Sequence, residues 1–201
     1  MKQTNHLKNQ TREHKLWLDT AGKKGRQFVA EDMDLSSIDL SHADLSESQF
    51  ISSNLSNSLL VETNLSGSML CASNFAESNM QRAILSKANL DESILSHANL
   101  EKATGIKATF SEAKARHCNF SSTNLKKAFF FKADLSSANF SNSDISNATF
   151  TGATLRDAIF THCIGADTVM ADWINIGDSS SPIILKDKEA TNWILEAANR
   201  T

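Results

Sequence analysis

A repeat of five residues constrains this chain more than any other feature. Steps of five from Leu35 to Met170 give 28 positions, and 25 of them hold Leu, Phe, Ile or Met. The exceptions are Gly105, Ala115 and Gly165. An α-helix keeps one face buried only with an apolar period near 3.6, so a period of five excludes helices over this stretch. The large residues must face the core of a different repetitive fold.

A column of small residues accompanies the large one, two positions earlier. From Ala43 to Thr168 this position holds Ala, Ser, Thr or Cys in 26 consecutive repeats. Two inward residues separated by one outward residue indicate a short strand, and two further outward residues break the alternation at a fixed place. The residue before the large one is Asn or Asp in 14 of the 28 repeats, and such side chains readily bond backbone groups at turns. The pattern predicts a corner every five residues.

The large residues form the predicted core. From residue 110 onward Phe recurs every ten residues, which we expect to place Phe on two opposite walls, because four per layer would overfill the interior. The layer of Gly105 and Ala115 lacks bulk on the other two walls and predicts a thin spot, a bend or an insertion by Ile106. The representative core residues are Leu45, Phe50, Leu55, Leu65, Leu90, Leu100, Phe110, Phe120, Phe130, Phe140, Phe150 and Phe160.

Segments such as Ala88-Asn89-Leu90-Asp91-Glu92 and Ala133-Asp134-Leu135-Ser136-Ser137 resemble the A(D/N)LXX repeat of the pentapeptide repeat family. The resemblance extends over most of the chain, from Leu35 to Met170. It implies an all-β solenoid, a right-handed quadrilateral β-helix in which four pentapeptides make one coil. The 28 repeats then make about seven coils, a rod about 34 Å long at the usual strand spacing.

The two ends of a solenoid need caps, because an open end would pair with other strands. We expect an N-terminal helical cap over residues 1–27, with a helix over 5–20, before the β-helix at 28–172. Residues 173–201 form the predicted C-terminal cap, with a helix over about 187–199. That helix either covers the last coil or joins two rods in a homodimer.

Charge is segregated along the chain although the net formal charge is only −3. Residues 27–81 hold eight acidic and no basic groups, and residues 82–132 hold nine basic and four acidic groups. Lys87, Lys107 and Lys127 share one column, and Arg82, Lys102 and Lys126 extend it into a predicted basic ridge. The ridge is either a solvated surface or a contact for an anion or an acidic protein. It has no outward aromatic residues for base stacking, which disfavours sequence-specific binding of nucleic acid.

Two phenylalanines are predicted to point outward. Phe129 and Phe131 flank the inward Phe130, and their neighbours one coil away in the same columns are Thr109, Ser111, Thr149 and Thr151. The alternatives are contact with a partner, coverage by a terminal segment, and simple tolerance of a small apolar patch.

The sequence shows no motif for catalysis. His97 and His117 share a column, but no thiol or carboxylate column completes a metal site. Neither a Ser-His-Asp arrangement nor a glycine-rich phosphate loop is apparent. We therefore expect no enzymatic activity, no cofactor and no metal. The longest apolar runs are too short to span a membrane, no secretion signal is apparent, and three cysteines fit reduced thiols, so the expected location is the cytoplasm.

Two functions remain open. The first is a non-catalytic scaffold that binds an as yet unidentified protein partner. The second follows from the resemblance, because some bacterial members imitate DNA and inhibit or protect DNA gyrase, a type II topoisomerase. Asp34, Asp39 and Asp44 are the predicted acidic surface for such mimicry, whereas the basic ridge departs from it.

Overall fold

The structure is a computed structural model that describes residues 2–200, with side chains from Leu7 onward. Helix α1 spans Lys2–Asp19 and helix α2 spans Asp187–Ala198. The named strands are β1 (Val29–Glu31), β2 (Gln49–Ile51), β3 (Trp173–Asn175) and β4 (Ile184–Lys186), and a 3₁₀ helix covers Ala166–Thr168. Between β2 and the 3₁₀ helix each wall pairs through a single bridge residue.

Parallel backbone pairing between equivalent residues of successive coils builds the rod. Strand β1 pairs with β2 from Val29↔Gln49 to Glu31↔Ile51, and single bridges continue the register four times per coil. We name the walls by their outward bridge residues: wall A holds 29, 49, 69, 89, 109, 129 and 149, and walls B, C and D follow at five-residue steps. The predicted right-handed quadrilateral β-helix is confirmed.

Each corner is a tight β-turn. At one of them the N–H of Ser58 donates to the C=O of Leu55 at 3.2 Å, and Asn57 between them has φ 58°. Every fifth residue from Ser37 to His162 shares this left-handed backbone, and all but Gly67 and Gly152 carry a side chain. A positive φ at the third turn residue is typical of a type II turn, which favours glycine. Strain is therefore distributed over the whole rod.

The Asn and Asp side chains support these corners. The Oδ1 atom of Asn54 accepts from the N–H of Ser56 at 3.1 Å, which closes the chain into the turn. Its Nδ2 donates to Asp34 Oδ1 one coil earlier at 3.1 Å, and Asn74 Nδ2 donates to Asn54 Oδ1 at 3.3 Å. The same amide thus shapes a corner and ties successive coils together.

The core is a column of close-packed side chains. All twelve representative core residues are at most 1% exposed. Phe110 and Phe130 stack with ring centroids 4.9 Å apart on wall A, and Phe120 and Phe140 stack at 4.9 Å on wall C. Rings from the two walls meet edge to face, for example Phe110 and Phe120 at 5.8 Å. Both arrangements are favourable for aromatic quadrupoles.

The layer of small residues does not interrupt the rod. The N–H of Gly105 donates to Asn124 C=O at 2.7 Å, and the N–H of Ala115 donates to Asp134 C=O at 2.8 Å. A Cβ on Gly105 would lie 3.2 Å from Leu125 Cδ2, so a neighbouring side chain occupies the space. The expected bend and the insertion of Ile106 are absent from the described coils, because neighbouring coils fill this layer.

The repeat changes register in the last coil. Asp144 still pairs with Ile164, but Thr149 pairs with Met170 rather than with Val169. The extra residue lies in the 3₁₀ helix, which follows Gly165 at φ 73°, where a Cβ would clash with Ser146 Oγ. The expectation that Met170 and Thr168 face inward is therefore wrong. Met170 is 52% exposed, and the neighbouring Val169 and Ala171 face the core instead.

Helix α1 covers part of the first coil through a buried histidine. The N–H of Phe28 donates to Nδ1 of His14 at 2.9 Å, so the ring proton is on Nε2, which donates to the C=O of Ser46 at 3.0 Å. The ring also stacks on Trp17 at 5.7 Å. Both ring nitrogens are therefore used to fasten the helix to the rod.

Helix α2 packs on the last coil. The C=O of Ala198 accepts from the N–H of His162 at 2.9 Å, and Trp193 meets Phe160 edge to face at 6.3 Å. Strand β4 pairs antiparallel with β3, which in turn continues wall B. This placement corresponds to the first of the two alternatives, coverage of the last coil, and a dimer contact through this cap stays a prediction. Neither described helix is long and apolar enough to cross a bilayer.

The strained corners predict an unusual response to glycine. Ala72, at φ 56°, should gain about 1 kcal/mol of stability when replaced by Gly, since the clash of its Cβ outweighs the entropy that Gly loses on folding. Gly67→Ala should destabilise by a similar amount, because the left-handed backbone at φ 66° is unfavourable for a residue with a Cβ. The cost should come from the backbone alone, since the Cβ would meet only Glu47 Cγ at an ordinary 3.9 Å. Urea unfolding measures both changes. Ala76→Gly is the control. Ala76 directly follows a core residue and has no positive φ, so its replacement by Gly should destabilise the protein.

The buried histidine predicts that stability falls in acid. Burial lowers the pKa of His14 below its ordinary value of 6.5, and the Ser46 carbonyl, Asp44 and Glu47 only partly oppose this. The unfolded chain therefore binds the proton more readily than the folded protein does. The stability that the neutral His14 contributes is fully present above pH 6.5 and decreases as the pH falls below that value. Urea unfolding at pH 7.5 and pH 5.0 should show the loss. His14→Gln should reduce this pH dependence, and an undiminished dependence in that variant would contradict the assignment.

Candidate interaction surfaces

The phenylalanine pair, Phe129 and Phe131, is exposed on one face of the rod. Phe129 stands at the centre of wall A and is 44% exposed, and Phe131 at the following corner is 39% exposed. The ammonium of Lys132 lies 5.0 Å from the centroid of the Phe131 ring, within cation–π range. The C-terminal segment leaves both rings accessible. Among the described residues, no terminal segment covers the two rings.

The lysine column, Lys87, Lys107 and Lys127, borders the same wall. The expectation that the basic ridge has no outward aromatic residues beside it is therefore wrong. These residues occupy the left-handed position of the corner between walls D and A, and the N–H groups of Lys87 and Lys107 donate to the next coil at 2.9 Å. No ion pair joins them to a carboxylate among the residues whose side chains are described. Like charges stacked on neighbouring strands repel. The column is therefore suited to an anionic contact.

The other three basic residues of the predicted ridge have acidic partners. Arg82 pairs with Glu62 at 3.0 Å, Lys102 with Glu101 at 2.7 Å and Lys126 with Asp144 at 3.0 Å. The hydrogen bond from Arg82 lowers the pKa of Glu62, and that from Lys102 lowers the pKa of Glu101. Arg82 and Lys102 also lie at the corner between walls C and D, away from the phenylalanine pair. The ridge is thus two columns separated by wall D.

The acidic residues Asp34, Asp39 and Asp44 lie on walls B, C and D of the first coil. Each carboxylate accepts from the backbone N–H two residues later, at 3.1 Å from Ser36, 3.0 Å from Ser41 and 3.2 Å from Ser46. Hydrogen bonds from Ser36 and Ser41 lower the pKa values of Asp34 and Asp39. These aspartates therefore form the first corners of the rod in addition to carrying negative charge.

The described side chains include no cluster of three or more metal-ligating residues. His97 and His117 stack with ring centroids 4.8 Å apart and planes at 10°. Burial raises the pKa of the Cys118 thiol well above its ordinary value, which makes the thiolate rare. These groups are consistent with packing along the rod.

Sequence reasoning missed two hollows. One, of about 910 Å³, lies between α1 and residues 35–44. The other, of about 610 Å³, lies on wall B and is lined by Lys114, Lys132 and the Arg116–Asp134 ion pair. The second could have been found by counting in steps of 20 residues, because Lys114 and Asp134 occupy the same position in successive coils. The first depends on how α1 crosses the coil, which the repeat does not encode.

The fold and its surfaces define a capped solenoid repeat protein with exposed side chains on flat walls. A sequence profile for pentapeptide repeats matches in eight copies, over residues 31–67, 48–86, 83–121, 106–141 and 133–164. Because these segments cover more than half of the chain, the protein belongs to the pentapeptide repeat family.

Solved structures of pentapeptide repeat proteins resemble this rod. HetL, involved in heterocyst differentiation regulation in Nostoc sp. strain PCC 7120, is 29% identical over 78% of this chain and 75% of its own, with a TM-score of 0.42. A trypsin-treated variant of QnrB1, a plasmid-mediated fluoroquinolone resistance protein, is 18% identical over 72% of this chain and 91% of its own, with a TM-score of 0.50. The likeness to QnrB1 supports the fold alone. No curated protein matches the sequence.

Proposed function

We propose that this protein is a non-catalytic scaffold that binds another protein through wall A and its border. The observation that carries the proposal is the proximity of the phenylalanine pair to the lysine column. Lys127 turns the corner onto wall A, and Phe129 is the central outward residue of that wall one position after the inward Ala128. Exposed aromatic rings and unpaired cations therefore share one flat surface.

This combination fits an interface. Aromatic anchors supply much of the affinity in protein complexes, and charged residues at the rim steer the partner and exclude others. Wall A around Phe129 is otherwise covered by Thr109 and Thr149, which do not obstruct approach. The partner we infer presents an apolar pocket bordered by carboxylates.

The proposal predicts a loss of binding without a loss of stability. Phe129→Ser with Phe131→Ser should abolish capture of the partner, while the unfolding midpoint changes little, because both rings are exposed. The measurement is quantitative affinity capture from an extract of the source cells, with circular dichroism of the purified variants. Leu59→Ser is the matched control, since Leu59 is 45% exposed at the centre of wall C. Unchanged capture by the double variant would refute the role of the pair.

Charge reversal tests the lysine column separately. Lys87→Glu, Lys107→Glu and Lys127→Glu together should weaken capture by at least tenfold and remove most of its salt dependence. The control variant carries three lysine-to-glutamate changes away from the lysine column, at Lys23, Lys24 and Lys188. Salt-independent capture by the native protein would contradict an electrostatic contact.

Mimicry of DNA at a type II topoisomerase is the second candidate function. The favouring observation is the acidic first coil, within a stretch from 27 to 81 that has no Lys or Arg. QnrB1, whose rod this chain resembles, is a fluoroquinolone resistance protein. Against this, Glu62 is neutralised by Arg82, and the next coils carry the lysine column. We therefore place mimicry second.

A gyrase supercoiling assay with and without a fluoroquinolone distinguishes the two functions. Mimicry predicts inhibition or drug protection that disappears in the triple variant Asp34→Asn, Asp39→Asn and Asp44→Asn. Asn keeps the oxygen that accepts the Ser36, Ser41 and Ser46 N–H bonds, so the corners should survive. Asp157→Asn, Asp167→Asn and Asp172→Asn provide the control. No effect of the native protein on gyrase would exclude this function.

A further inference from the structure

Wall A has a second charged border, opposite the lysine column. Glu92 and Glu112 occupy the left-handed position of the corner between walls A and B, at φ 59° and 58°. Both are exposed, and no ion pair joins either of them to a cation among the residues whose side chains are described. We call these two residues the glutamate column. Wall A is thus bordered by cations on one edge and by anions on the other.

The two columns stand level with each other along the rod. Lys107 and Glu112 border Thr109 in one coil, and Lys87 and Glu92 repeat the arrangement in the coil before. The backbone N–H groups of Lys107 and Glu112 each donate to the next coil, at 2.9 Å and 2.8 Å, which fixes their positions along the rod. Like charges within one column repel at strand spacing. Each column therefore gains from an opposite charge supplied by another molecule.

The wall between the columns is flat and partly apolar. Met69 and Phe129 stand at its centre, on either side of the oppositely charged coils, and are 43% and 44% exposed. The corners beside Met69 are Gly67 and Ala72, so no long side chain projects around it. Another flat surface can therefore approach wall A closely, with apolar contacts at both ends of the charged region.

Symmetry indicates which surface fits. The partner proposed above presents apolar groups bordered by carboxylates, and wall A itself presents both. When two identical rods lie face to face and point in the same direction, the two-fold axis is parallel to them and opposite edges meet at equal height. The lysine column of each copy then faces the glutamate column of the other. Antiparallel rods would bring lysine against lysine instead.

We propose that wall A binds a second copy of this chain in a parallel, face-to-face homodimer. The proposal rests on the proposed function of wall A as an interaction surface and names its partner. Lys87 of one copy meets Glu92 of the other, and Lys107 meets Glu112, and the symmetry forms each pair twice. The Phe129 rings of the two copies meet at the axis, where aromatic contact adds to the affinity.

One pair in this arrangement is repulsive. Lys127 of one copy faces Lys132 of the other, and the Lys132 ammonium also lies 5.0 Å from the centroid of its own Phe131 ring. Two attractive pairs against one repulsive pair leave a net attraction along each edge. The mismatch also provides a test, because Lys132→Glu should strengthen the dimer by creating a third attractive pair.

Sedimentation equilibrium of the purified full-length protein measures the dimer dissociation constant. Lys107→Glu and Glu112→Lys should each raise it by at least tenfold, since each places like charges opposite one another. The double variant with both changes should recover most of the affinity, because the exchanged charges face each other again. Lys132→Glu should lower the constant. Lys23→Glu, away from wall A, is the control, and circular dichroism checks that each variant is folded.

Chemical cross-linking tests the orientation. In a parallel dimer each central residue of wall A meets its own counterpart, so Met69→Cys and Thr149→Cys, four coils apart, should both form covalent dimers with a short bismaleimide. An antiparallel dimer would join only positions near its axis, so failure of either variant to cross-link would overturn the parallel arrangement. Both variants carry Cys71→Ser, and Asn119→Cys on wall C in the same background is the control.

Two results would overturn the homodimer. A protein that stays monomeric at the highest attainable concentration would exclude it, while the wall A scaffold would still be judged by the capture experiment with Phe129→Ser and Phe131→Ser. The two failures are therefore distinguishable. A dimer that is unaffected by Lys107→Glu, or not recovered by the double exchange with Glu112→Lys, would place the contact on another surface such as the C-terminal cap.

Discussion

The whole structure depends on a left-handed residue held at each corner. The extended segment of a wall is too short to be stable alone, and the corner is what places each wall against its counterpart in the next coil. Such a backbone is unfavourable for residues with a Cβ, yet nearly all corners have one. Hydrogen bonds between coils and the Asn or Asp bonds to the corner N–H offset this cost. The stability of the rod is therefore collective, and each coil maintains its neighbours.

Periodicity predicts most of this architecture because each residue has one fixed place in the coil. The core column, the opposite stacks of Phe and the outward positions of Phe129 and Phe131 all follow from counting in fives. Other features depend on geometry outside the repeat. The extra residue near Gly165 interrupts the five-residue count, the pairing of Arg82 with Glu62 depends on side-chain reach, and the hollow between α1 and residues 35–44 depends on the path of α1. Counting in steps of 20 places Arg82 and Glu62 in one column, but it does not predict their ion pair, the extra residue or the space beside α1.

The regular coil also turns sequence into surface in a simple way. Equivalent residues of successive coils become neighbours at strand spacing, so a short motif at one position in successive coils makes a column. The lysine column and the column of Asp34, Asn54 and Asn74 are both produced in this way. They differ in which position of the pentapeptide holds the repeated residue. A substitution at an outward position changes one site of the surface without disturbing the core.

The extra residue in the last coil gives the rod a direction. At that end the register is shifted by one residue, and β4 runs antiparallel to β3. A further coil in the register of the repeat would therefore match neither the pairing positions nor the strand direction. At the other end the first coil keeps the native phase. The two ends are thus chemically unequal, and growth of the stack by addition of like coils is blocked at the C-terminal end. Only the N-terminal end of the rod therefore keeps the register of the repeat.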